Sequence, residues 1–215
     1  MNDRKIKGGV YLVINPAMER PALLHQLNAA LRGGLTAVQI WNNWLPDANK
    51  GDYINKVAEL CNSYNVPLLV NGDWGLLLSH PELDGVHFDQ IPENYVEIQN
   101  TVKRRFLAGI TCSGDLNAVR WAHANKLDYV SFCAMFPSSS AGSCDIVMPQ
   151  TVRLAHTLTN LPLFVSGGIT PDNIPQLQQR TPFNGVAVIS GIMSADDPAQ
   201  KVKLYHKALN SRNKP

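Results

Sequence analysis

The chain has 215 residues, 45% of them apolar and 17% charged, with 19 Lys and Arg against 17 Asp and Glu for a formal charge of +2. That size fits one domain with a well-buried core, and the ordinary apolar fraction excludes a disordered chain. The near balance of charge argues against a nucleic-acid or anionic-membrane partner, and no apolar run approaches the ~20 residues of a membrane span.

The polar start Met1–Lys5 and the short apolar run after it do not read as a secretion signal, and Cys61, Cys112, Cys133 and Cys144 lack CxxC spacing. Both features predict a cytoplasmic protein with free thiols. Val10–Ile14 is the first short apolar run. Leu23, Leu24, Leu27 and Leu31 then form a helical stripe that Gly33-Gly34 can stop. Ala37–Ile40 is the second run, and Ile54, Val57, Ala58 and Cys61 mark the second helix. Further runs follow at Leu68–Val70, Gly85–Phe88 and Leu107–Thr111. Asp115 is a good N-cap for a helix carrying Leu116, Val119, Ala122 and His123. Tyr129–Phe132, Leu163–Ser166 and Gly185–Ile189 complete the runs. Pro171 after Thr170 predicts a helix start, and Pro198 opens a last helix with Val202, Tyr205 and Leu209 on one face.

Most of these runs are continuous rather than alternating, as strands buried on both faces read. Their alternation with helices predicts an α/β fold, a single-domain (β/α)8 TIM barrel over 1–215 with its core at about 9–210. Eight units in 215 residues leave about 27 each, near the minimum for strand, helix and two short loops. A doubly wound open sheet is the competing architecture, but no GxGxxG follows the first strand.

In such a barrel, phosphates favour the loops after strands seven and eight. Here these loops contain Ser166-Gly167-Gly168-Ile169-Thr170 and Ile189-Ser190-Gly191-Ile192. Adjacent glycines leave backbone N–H groups open to an anion, and Ser190 is placed to begin a short extra helix. The structural alternative is a tight turn at Gly167-Gly168 and a capping role for Ser190.

Read with the remaining strand ends, these residues resemble the thiamine-phosphate synthase and thiazole tautomerase family. The marks are Gly33–Ile40, Val66–Asn71, Asp84–His87, Gly109–Thr111, Asp128–Phe132, Phe136–Ser138, Ser166–Ile169 and Val186–Ile192. The resemblance implies a reaction joining a pyrimidine methyl diphosphate to a thiazole phosphate, with pyrophosphate leaving. It places the thiazole phosphate at Gly167, Gly168, Ile189 and Ser190, with the hydroxyl run Ser138, Ser139 and Ser140 beside it. On the pyrimidine side it places Gln39, Asn71 and Thr111.

The chain departs from the family pattern on the diphosphate side. Trp41-Asn42-Asn43 replaces a basic stretch, and Gly72 and Pro92 stand at the positions of two metal-binding aspartates. Ala141 replaces a lysine, and Ser113 replaces the tautomerase's proton-transferring histidine. No metal site is therefore expected, with Asp73 and Asp89 as weak candidates, and Mg²⁺ belongs only to a retained synthase activity. The general base is unassigned. His87 reads as a structural residue of the Gly-Val-His match and Cys112 as a small core residue. Trp41, Trp44 and Trp74 read as stacking groups, space fillers or an interface. The expected partner is a small phosphorylated heterocycle, with a homo-oligomer possible. A tautomerase-like isomerase and a non-catalytic sensor of thiamine precursors are the alternatives.

Overall fold

The computed structural model describes residues 4–138 and 145–213, the last two of these by backbone alone. Eight strands pair in parallel and in sequence: β1 (Gly9–Ile14), β2 (Ala37–Ile40), β3 (Leu68–Asn71), β4 (Gly85–Phe88), β5 (Leu107–Thr111), β6 (Tyr129–Phe132), β7 (Leu163–Ser166) and β8 (Gly185–Val188). β8 returns to β1 in the register Gly9 to Gly185 and Leu12 to Val188, which closes the barrel. The open-sheet alternative is thereby excluded, and the apolar runs named from the sequence coincide with the strands to within a residue at each end.

The helices are α1 (Arg20–Arg32), α2 (Lys50–Ser63), α3 (Leu76–Ser79), α4 (Tyr95–Val102), α5 (Leu116–Ala124), α6 (Pro149–Leu158), α7 (Ile174–Arg180), α8 (Ser190–Met193) and α9 (Pro198–Leu209). Successive strand residues point to opposite faces, so Val10, Leu12 and Ile14 meet the helix layer while Tyr11 and Val13 enter the lumen. The helical stripe on α1 buries Leu23, Leu27 and Leu31 against that outer face. Asp115 and Asp197 cap α5 and α9 through their side chains, accepting from Asn117 and Gln200 amides.

One helix start differs from expectation. α7 begins at Ile174, with Pro175 in its first turn, rather than at Pro171. Thr170 and Asn173 exchange side-chain to backbone hydrogen bonds across the intervening turn, so local turn chemistry outcompetes helix initiation at Pro171.

The lumen is packed by Tyr11, Tyr129 and Phe164, whose rings lie 5.5–5.8 Å apart in tilted or edge-on pairs. Gly109 makes room for this packing, since a Cβ there would stand 2.1 Å from the Tyr129 ring. Below the rings, Ile6 joins Ala37, Leu69 and Leu107 in a plug. Arg4 secures the plug by donating to Asp84 at 2.8 Å, and the same carboxylate oxygen accepts the Leu68 amide. No helix among the described residues is long and apolar enough to cross a membrane.

Candidate active site

The lumen changes character toward the C-terminal ends of the strands. The last inward position of β2 through β7 is polar: Gln39, Asn71, His87, Thr111, Ser131 and Ser166. These residues form the floor of a cavity of about 480 Å³ that opens at the C-terminal face. Placement there follows from the strand period, because each polar residue sits an even number of positions from an apolar residue deeper in the lumen. Gln39, Asn71 and Thr111, expected at the site, meet on this floor.

A continuous hydrogen-bond chain crosses the floor. Tyr11 donates its phenolic proton to Gln39 Oε1 at 3.0 Å, so the 2.9 Å contact with Tyr129 must run from Tyr129 to Tyr11. Tyr129 then has no proton left for His87, and at 2.8 Å it accepts from Nδ1–H. Burial pushes the His87 pKa down to about 4, so the ring is neutral near pH 7 and its Nε2 is bare. Nε2 therefore accepts from the Thr111 hydroxyl, at 2.8 Å. One tautomer satisfies every group, and neither ring nitrogen is left over for proton transfer. Burial also pushes both tyrosines well above their ordinary values, so the whole chain stays uncharged.

The rim after β7 is built differently. Gly167 and Gly168 have φ of +79° and +63°, a region that glycine enters without strain. They also lie hard against the loop after β6: a Cβ on Gly168 would be 2.7 Å from Phe136 Cβ and the Pro137 carbonyl oxygen. The tight turn and the open amides are thus one arrangement. The N–H groups of Gly167 and Gly168 reach no acceptor among the described residues, and both residues line the cavity. Ile189 precedes α8, Ser190 begins it, and both line the same rim, as does Ser138. Ser139 and Ser140 lie outside the described residues, as does Cys144.

On the opposite rim, after β2 to β4, side chains replace backbone. Asn71 donates to Asp89 Oδ2 at 2.8 Å and to the His87 carbonyl at 3.4 Å. Asp73 pairs with Lys50 at 3.3 Å. Trp41 lines the cavity, whereas Trp44 packs edge-on against Tyr53 beneath Lys50, and Trp74 borders a separate shallow depression with Pro92. The three tryptophans therefore do not converge on one ligand. Cys112 is buried, and its thiol is pushed up to about 12 by burial and by nearby Asp115.

The family model described as thiamine monophosphate synthase matches residues 10–192. The chain belongs to that family. A thiamine-phosphate synthase of Thermoplasma acidophilum is 30% identical over 220 residues, covering 98% of this chain and 99% of that protein. One from Nitrosococcus oceani is 27% identical over 208 residues, covering 96% and 95%. The solved structure of thiamine phosphate pyrophosphorylase from Pyrococcus furiosus superposes with a TM-score of 0.79 at 20% identity, covering 98% of both chains, which shows the shared barrel.

The synthase family implies Mg²⁺, and the donor set here does not fit it. Asp73 is paired with Lys50 and does not line the cavity, which leaves Asp89 as the one carboxylate lining it among the described residues, with its Oδ2 already accepting from Asn71. Reading the synthase family's residues along the sequence finds Gln39, Asn71 and Thr111 but misses Tyr11, Tyr129 and Ser131. Their signal was present as the two-residue alternation of the strands, which sends them inward beside the residues already singled out.

Proposed function

We propose that this thiamine-phosphate synthase family protein binds a phosphorylated thiazole, or a similar phosphorylated heterocycle, with the diphosphate and metal half of the site altered. The observation that carries this reading is the unpartnered pair of amides at Gly167 and Gly168, facing a neutral polar floor across one cavity. Backbone N–H groups hold a phosphate without a basic side chain, and the start of α8 at the next strand end, Ile189 to Gly191, lines the same rim. Gln39 and Thr111 are placed to orient the ring, and the neutral His87 between Tyr129 and Thr111 keeps Thr111 in one orientation.

Joining that thiazole to a pyrimidine diphosphate requires neutralising the pyrophosphate as its C–O bond breaks. No Lys or Arg lines the cavity among the described residues, so the reading assigns binding with slow or absent transfer. A non-catalytic sensor of thiamine precursors is the second reading, favoured by Lys50, which engages one of the two aspartates left near the altered half. The tautomerase reading has less support. Ser113 lines the rim where a base is needed, while Cys112 and His87 titrate far from neutrality.

Calorimetric titration with the thiazole phosphate, with and without Mg²⁺, tests the assignment. We expect binding in both conditions, and little turnover when the pyrimidine diphosphate is added. Rapid Mg²⁺-dependent formation of thiamine phosphate would restore the full synthase activity, and loss of all binding would remove the cup.

A further inference from the structure

The rim between β2 and β4 carries an electrostatic arrangement that phosphate binding leaves unused. The segments following the eight strands are 15–19, 41–49, 72–75, 89–94, 112–115, 133–148, 167–173 and residue 189. None of them contains a lysine or arginine, and each except the last contains an Asp or Glu. The slight positive charge of the whole chain therefore sits elsewhere, on the helices, the termini and the opposite end of the barrel. Several of these carboxylates already have partners. Glu19 and Asp115 cap α1 and α5, and Asp73 pairs with Lys50.

Asp89 differs from these. It is the one charged side chain lining the cavity among the described residues. Oδ2 accepts from Asn71, and no other hydrogen bond or ion pair reaches Asp89 among the described residues. Asn71 thus fixes the direction of the carboxylate without neutralising it. Trp41 lines the same quarter of the cavity, two strands away, and an indole face attracts cations through its quadrupole. A fixed carboxylate and an indole on one rim favour positive charge. The amide cup after β7 lies three strands away from β4, and α8 follows β8, which is opposite β4 in an eight-strand ring.

We propose that Asp89, oriented by Asn71 and assisted by Trp41, makes this cavity selective for a monophosphate whose ring system carries positive charge. The thiamine phosphate class meets that description, with its cationic thiazolium and its exocyclic amine. A monophosphate with an uncharged ring gains nothing from Asp89, and a diphosphate placed on that rim is repelled by it. The inference rests on the phosphate-cup reading above and adds the charge of the preferred ligand.

The test is calorimetry on the full chain at low ionic strength without divalent cations, using thiamine phosphate and the uncharged-ring thiazole phosphate as probes. We expect thiamine phosphate to bind about tenfold tighter, a preference that added salt erodes. Asp89→Asn keeps an acceptor for Asn71 and removes the charge. It should weaken thiamine phosphate binding and bring the two affinities to within about twofold of each other. Asp89→Glu should retain a preference for the cation. Equal affinities in the unmodified protein, or a preference that survives Asp89→Asn, would overturn the selectivity while the cup stands. Failure of both monophosphates to bind would overturn the cup reading as well.

Discussion

The two rims of the cavity are built of different materials. After β7 the groups on offer are backbone amides, exposed by Gly167 and Gly168 and locked in place by close packing against Phe136 and Pro137. After β2 to β4 they are side chains, Trp41 and Asp89 on the loops and Asn71 at the buried end of β3. A backbone site tolerates almost any neighbouring sequence provided its glycines remain. A side-chain site can lose its chemistry one residue at a time while the barrel stays intact. On the function proposed above, that contrast accounts for a chain matched to the family over most of its length that keeps one half of the pattern and alters the other.

The sharpest way to break the contrast is at Gly168. Gly168→Val forces a branched side chain to a φ of +63° with Phe136 and the Pro137 carbonyl 2.7 Å from its Cβ. Strain and overpacking together should cost about 2–5 kcal/mol of stability, seen as a lower urea midpoint, along with loss of monophosphate binding. An unchanged midpoint would mean that the loop after β6 yields easily and that the backbone rim is not rigid.

The floor joining the rims makes the next largest prediction. His87 has a folded-state pKa near 4 against 6.5 for an unperturbed ring, so below pH 6.5 the unfolded chain binds a proton that the native floor excludes. Stability from this source is complete above pH 6.5 and declines as the pH falls toward 4. The decline should reach about 3 kcal/mol at pH 4 in denaturant titrations, and His87→Asn should flatten it. A pH-independent midpoint across that window would show that the imidazole is solvated.

Tyr129→Phe should cost about 1–3 kcal/mol, because it leaves the His87 Nδ1–H buried without an acceptor. It should also weaken ligand binding less than Gly168→Val does, separating floor from rim. The smallest effect expected is at Cys112, whose buried, high-pKa thiol should remain unmodified in brief alkylation at neutral pH, read by peptide mass mapping. Rapid modification of Cys112 would reopen it as a proton-transfer group.

The barrel was legible in the sequence because strands buried on both faces announce themselves as short apolar runs, and Val10–Ile14 or Leu163–Ser166 need little tertiary context. α3 spans only Leu76–Ser79 and buries Leu77 alone, so it offers no periodicity to detect. The glycine rim was legible for the same reason that it is robust: Gly167-Gly168 is a local pattern with a local cause. The floor was half legible. Gln39, Asn71 and Thr111 stand at strand ends and can be recognised one by one. Tyr11 and Tyr129 acquire their role from each other across 118 positions of chain, which no local pattern records. Asp89 was visible as a stray carboxylate, and its direction comes from Asn71 on the neighbouring strand.

The proton order along the floor has a consequence for what the cavity can read. Thr111 has committed its only hydroxyl proton to His87, so toward a ligand it offers lone pairs alone. Gln39 has committed its carbonyl oxygen to Tyr11, and its amide N–H donors have no acceptor among the described residues. The floor therefore presents a donor at β2 and an acceptor at β5. On the function proposed above, a heterocycle edge that spans these two residues matches them in one orientation, with its own acceptor toward Gln39 and its own donor toward Thr111. Turned over, the same edge sets donor against donor and acceptor against acceptor. The proposed ligand's orientation across these two residues would thus be set by buried hydroxyl protons that never touch it.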